Sequence, residues 1–249
     1  MGLFDFLGKK NDTAAAPKKG GSRDIARLAR LAGEKMAQDY DRQEAIQELS
    51  KMGTAEAAEA LLRRFAFTME PSITDHEEKE SAVEGIVAAG KAAIEPIRRY
   101  AARAESLTWP LKVLKRIVPE EQMVDELLAL LDQFDTEYMR NPEPKLQLIS
   151  VLEEYKNDAV RAAVEPFLTD VNEPVRFHAA GTVFAMDNAE SVAALVEALG
   201  QEESLRVKNR IAQGLSERRW TVPEAHVAAC RDALPPGFSV SGGVVQRHA

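Results

Sequence analysis

The sequence predicts an all-α solenoid of about six helical hairpins with a flexible N-terminal tail. Three observations predict it: a helix-former's composition, an apolar stripe that returns six times at the spacing of a helical hairpin, and a cation that returns at one register ahead of that stripe. The 249 residues suffice for one extended domain or two compact ones. Aromatics make up only 6% while Ala, Leu and Glu abound, which favours helix over sheet throughout.

The stripe is read by position. Anchoring the chain on Leu49, Ile86, Leu114, Leu152, Val183 and Leu215 gives intervals of 37, 28, 38, 31 and 32 residues, inside the window of roughly 20 to 50 that marks stacked repeats. Three residues before the anchors stand Ile46, Val83, Leu111, Ile149, Ala180 and Ala212; four before stand Ala45, Ala82, Pro110, Leu148, Ala179 and Ile211. With Met52, Ala89, Ile117, Tyr155 and Met186 three residues after, these offsets trace one helical face, and Arg218 breaks it in the last unit. Seven residues before the anchors stand Arg42, Lys79, Leu107, Lys145, Arg176 and Lys208. A cation held at one register is a structural device: its stem covers the core edge while its head reaches a carbonyl or carboxylate of the neighbouring unit.

The elements follow in order. Residues 1–22 form the tail, an apolar tip "MGLFDFLGKK" with Phe4 and Phe6 followed by the linker-like "NDTAAAPKKGGS". Residues 23–40 form a capping helix whose inner face is Ile25, Leu28, Ala29, Ala32 and Met36. Residues 41–234 form the solenoid. In each unit the striped helix is followed by a turn, with Gly53 and Gly90 as left-handed caps and Pro119 and Asn157 as breakers elsewhere. A second apolar helix follows, the first being "AEAAEALLRRF". Residues 235–249 form an irregular tail, because Pro235, Pro236 and Gly237 stop any helix. The two longest intervals place extended loops at "TMEPSITDHEE" and "DQFDTEYMRNPEP".

The unit "DVNEPVRFHAAGTVFAMDNAESVAALVEAL" resembles the HEAT repeat family, in particular the short bacterial HEAT-like or phycobilisome-lyase type. The resemblance covers about residues 41–234, with unit three, which has Leu107 for the cation and Trp109-Pro110 at the small-residue site, departing most. It implies a superhelix whose units touch only their neighbours, and a role in binding other macromolecules.

Function is read more coarsely. The net charge of −8 divides into +3 over residues 1–23 and −11 over the rest, a balance that disfavours nucleic acid as partner. The single cysteine, Cys230, excludes an intrachain disulfide and fits a cytoplasmic protein. With His226 four residues before it, Cys230 lacks the acid and oxyanion donors of a nucleophile and reads as a small apolar residue. Asp75, His76, Glu77 and Glu78 look like metal ligands but lack convergent partners from elsewhere and read as a solvated acidic loop, so no metal or cofactor is expected. The His-Glu pairs that a HEAT-type deoxyhypusine hydroxylase distributes over its repeats are here reduced to His76-Glu77. Cations cluster at Arg98, Arg99 and Arg103, at Lys112, Lys115 and Arg116, and at Arg206 to Arg219, but acids interleave with them as on a salt-bridged face.

The expected function is therefore a non-catalytic scaffold or adaptor that binds a protein partner through its concave face and two long loops. Its contact residues are expected to be Phe4, Phe6, Asp75, His76, Glu77, Trp109, Tyr138, Arg219 and Trp220. The tip of the tail has three destinations, an anionic membrane surface, a groove on a partner or the open end of the solenoid. The competing readings are a chromophore lyase-type enzyme, implied by the repeat's resemblance, and a HEAT-like nucleic-acid-binding protein. Oligomeric state is left open.

Overall fold

A computed structural model describes residues 21–248, so Phe4, Phe6 and nearly all of the expected tail lie outside the described residues. After α1 (Ser22–Ala32) come six antiparallel helical pairs. They are α2 (Asp39–Ser50) with α3 (Ala55–Leu62), α4 (Ser72–Ala88) with α5 (Ile94–Ala101), and α6 (Thr108–Ile117) with α7 (Glu120–Leu131). The remaining pairs are α8 (Glu143–Leu152) with α9 (Asp158–Val164), α10 (Glu173–Ala185) with α11 (Val192–Gln201), and α12 (Leu205–Arg218) with α13 (Glu224–Ala233). First helices pack on first helices and second on second, α2 on α4 and α3 on α5 for example, giving two layers with the core between them.

The repeating stripe is that core. Leu49, Ile86, Leu114, Leu152, Val183 and Leu215 are all buried, as are the residues three and four before each of them. Full burial of one Leu, Ile or Val side chain contributes about 1.5 to 3 kcal/mol, so a stripe repeated over six units outweighs the intrinsic propensity of any one helix. The turn after each first helix also repeats. Four residues past the anchor, Gly53 (φ 59°), Gly90 (φ 56°), Asp187 (φ 55°) and Arg219 (φ 52°) all adopt the left-handed conformation that closes a helix. Pro119 precedes α7, and Asn157 caps α9 by accepting from the Ala159 amide at 2.8 Å.

Three expectations are corrected. The capping helix does not run over residues 23–40: α1 stops at Ala32, a turn carries the chain to α2, and Met36 is 84% exposed instead of facing the core. The stretch "TMEPSITDHEE" is mostly helix, because α4 already begins at Ser72; only "DQFDTEYMRNPEP" is a long connection, running to the start of α8.

The C-terminal residues are not irregular. β1 (Phe238–Ser241) pairs antiparallel with β2 (Val244–Arg247), with Val240 opposite Val245. The Gly242-Gly243 turn between them has φ 59° and 75°, the double left-handed geometry of the tightest hairpins. The hairpin lies on α12 and α13, buries Val245, and accepts the Val222 amide at the Gly243 carbonyl (2.8 Å). It closes the last unit.

Candidate functional site

The connections from each second helix to the next first helix gather at one edge of the solenoid, and a buried ionic chain runs beneath them. Arg42 Nε donates to Glu78 Oε2 (2.7 Å) in the following unit, and its other nitrogens reach the Ala37 carbonyl (2.9 Å) and Asp39 (2.6 Å). The same Glu78 oxygen accepts from Arg64 Nε at 2.7 Å, and Arg64 continues to Asp75 (2.7 Å), which also holds Lys79 (2.7 Å). Two units on, Lys145 Nζ bridges the Asp135 carbonyl (2.7 Å) and Asp170 (2.6 Å), and Arg176 clasps Glu202 through two bonds of 2.6 and 2.8 Å. In three units the recurrent cation, Arg42, Lys145 or Arg176, thus ties a connection to the neighbouring unit, while Lys79 pairs within its own helix. Leu107, its apolar substitute, is simply buried.

These pairs set the local electrostatics. Burial alone would lower the Arg42 guanidinium, but the bonds to Glu78 and Asp39 outweigh it and hold Arg42 above the usual arginine value. Burial would raise the Asp75 carboxyl, and Lys79 and Arg64 instead hold it below the usual carboxylate range. Glu202 is likewise depressed: burial acts upward, while Arg176 and the Ser204 and Glu203 amides act more strongly downward.

Above this rigid layer the edge is apolar. Met36, Tyr40, Ile73, Tyr138, Val171 and Leu205 are the exposed large hydrophobic residues among those described, from 56% for Val171 to 84% for Met36. Each lies in an inter-unit connection or at the first residues of the helix that follows it. Only unit three contributes none. The connections before α8 and α10 are themselves joined, through Val171 N to the Thr136 carbonyl (3.1 Å) and Asn172 to the Met139 backbone (3.2 and 3.3 Å).

The face made by the first helices is different in character. A groove of 530 Å³ runs between α6 and α8, with Leu111, Leu146 and Val151 among its walls and Lys112, Lys115 and His178 at its margin. Its cations are paired: Lys112 with Glu80, Lys115 with Glu154 (3.1 Å), Arg116 with Glu84 (2.5 Å) and Arg206 with Glu173 (3.1 Å). Arg98 on the second layer is held bidentately by Glu126. Cations spent on carboxylates across units stitch helices together and offer little to a phosphate backbone. His178, 3.2 Å from Ser150 Oγ, is lowered by burial and by Arg210 and Arg206.

The residues singled out from sequence separate. Tyr138 is 71% exposed on the edge. Asp75 is held by Arg64 and Lys79 and is structural; His76 and Glu77, one and two residues on and so turned to other faces of α4, are exposed. Trp109 is half-buried, stacked on Phe65 at 5.9 Å beside His76 and Lys112, and Trp220 is half-buried against Phe184 at 5.8 Å. Arg219 is exposed at a left-handed helix end. Cys230 is buried, and burial pushes its thiol up, as for an inert core cysteine. The sequence reading missed Tyr40, Ile73, Val171 and Leu205; the signal available was their place nine to thirteen residues before the anchors, outside the buried stripe. Among the described residues no helix is long and apolar enough to cross a membrane.

Residues 124–216, from α7 to α12, match the family model described as HEAT repeats. No curated protein matches the chain.

Proposed function

We propose that this HEAT-repeat protein, with its repeats identified over residues 124–216, is a non-catalytic scaffold that binds another protein along the inter-unit edge. HEAT repeats are commonly protein-interaction scaffolds. The observation that carries the reading here is the confinement of Met36, Tyr40, Ile73, Tyr138, Val171 and Leu205 to that one edge. Single exposed apolar residues scattered over a surface are ordinary, but a series confined to the inter-unit connections and the helix starts that follow them in five of six units is a surface built to be covered. Connections between repeats are also where solenoids vary their binding surface without disturbing the stacked core. The ionic chain beneath holds these connections in place, which reduces the ordering cost of docking.

Affinity capture from source-cell lysate with the full chain and with Ile73→Ser/Tyr138→Ser tests this. A partner retained by the parent and lost by the variant is the expected result. A partner held equally by both would move recognition off the edge and sink the proposal.

A further inference from the structure

The edge also carries a charge that selects its partner. Resting on the scaffold reading above, we infer that the inter-unit edge takes a basic amphipathic polypeptide segment, one whose apolar side chains meet Tyr40, Ile73, Tyr138 and Leu205 while its lysines or arginines meet the acids between them.

The apolar residues of the edge stand among exposed carboxylates. Asp39 and Asp41 flank Tyr40, Glu70 precedes Ile73, Asp135 and Glu137 lead into Tyr138, and Glu203 precedes Leu205. The exposed cations of the same connections are fewer, Lys35, Arg63, Arg103 and Arg140, and Arg206 beside Leu205 is tied to Glu173. The field at the edge is therefore negative. Glu78, Asp170 and Glu202 answer buried cations from below the surface, and of the exposed acids named Asp39 pairs with Arg42 (2.6 Å), which leaves Asp41, Glu70, Asp135, Glu137 and Glu203 to face solvent.

That combination discriminates among occupants. An anionic bilayer and a nucleic acid would both meet like charge along the whole edge, whereas a basic segment gains attraction at each unit and steering on approach. Apolar positions spread over five units call for a partner with apolar side chains repeated along its length. The chain's own N-terminal tip offers a single cluster, Leu3 to Leu7. An amphipathic segment with alternating apolar and basic side chains meets both requirements.

The probe is a labelled 20-residue peptide with Lys and Leu at helical spacing, and its counterpart with Glu in place of Lys, each titrated into the full chain by fluorescence anisotropy. The Lys/Leu peptide is expected to bind. Its affinity should fall about tenfold or more on Ile73→Ser/Tyr138→Ser, by loss of two anchoring contacts, and on raising the ionic strength from about 0.05 to 0.5 M, by screening. Asp41→Asn/Asp135→Asn/Glu137→Gln should weaken it while leaving circular dichroism unchanged. Equal binding of the Glu/Leu peptide, or Lys/Leu binding that ignores all of these variants, would overturn the inference. If the partner captured from lysate is lost with Ile73→Ser/Tyr138→Ser but the Lys/Leu peptide does not bind, the scaffold reading stands and the basic chemistry falls. Displacement of the probe by a peptide of residues 1–20 at lower concentration would give the edge to the chain's own segment and overturn an external partner.

Discussion

At the scale of single residues, Glu78 is the pivot of the first two units. One of its oxygens, Oε2, accepts from two fully buried guanidiniums of the preceding unit, Arg42 on α2 and Arg64 just after α3. Glu78→Ala should therefore lower stability by about 3 kcal/mol, because removing one member of a buried ion pair strands the others in a poorly solvating interior; urea melts of the two proteins would show it. The same groups fix the response to acid. The depressed carboxyls of Asp75 and Glu202 contribute stability that is complete above the pKa of the unfolded carboxylates, near 4, and is lost as pH falls toward the folded values. His178, lowered by burial, acts in the same direction from about pH 6.5 downward, since the unfolded state takes up its proton first. The melting temperature should decline gently below pH 6.5 and steeply below about 4. Asp75→Asn should flatten the steep limb, and an unchanged limb would show that these pairs do not govern acid unfolding.

At the scale of elements, the fit between successive first helices depends on small residues at the crossings. Gly214 of α12 faces the ring of Phe184 on α10, where an added Cβ would come within 2.3 Å of a ring carbon. Phe184 cannot swing away freely, because it is buried and lies against Trp220. Gly214→Ala gains helix propensity but should still destabilise by about 1 to 3 kcal/mol, the usual effect of overfilling a packed core. Thermal melts check the sign: a higher melting temperature would mean that propensity outweighs the clash. At the same crossing Trp220, half-buried, packs its ring against Phe184.

For the molecule as a whole, the ends need closure because each unit borrows its neighbour's surface. The C-terminal hairpin supplies that closure through Val245, buried on α12, and through the bond from Val222 to Gly243. Removing residues 235–249 should cost about 2 to 3 kcal/mol, the burial energy of one large apolar side chain together with the edge it covers. The loss should be local. Hydrogen exchange should quicken in α12 and α13 while α2 to α5 keep their protection, as a one-dimensional stack predicts; uniform loss of protection would contradict that picture.

The sequence by itself determined the stacked helical pairs, because a stripe with helical period can be buried in only one way and each anchor is a local signal. It also determined the cation register, since Arg42, Lys145 and Arg176 sit at one offset and need a partner across the unit boundary. Only the tertiary structure decided which acid answers each cation, Glu78, Asp170 and Glu202 being fixed by how far one unit is rotated on the next. The same holds for the edge. Met36 fits a helical stripe in sequence but lies beyond the end of α1, and the exposure of Ile73 and Leu205 follows from where α4 and α12 begin. Periodicity reports which side chains share a face; whether that face is covered depends on chain reversals and neighbours distant in sequence.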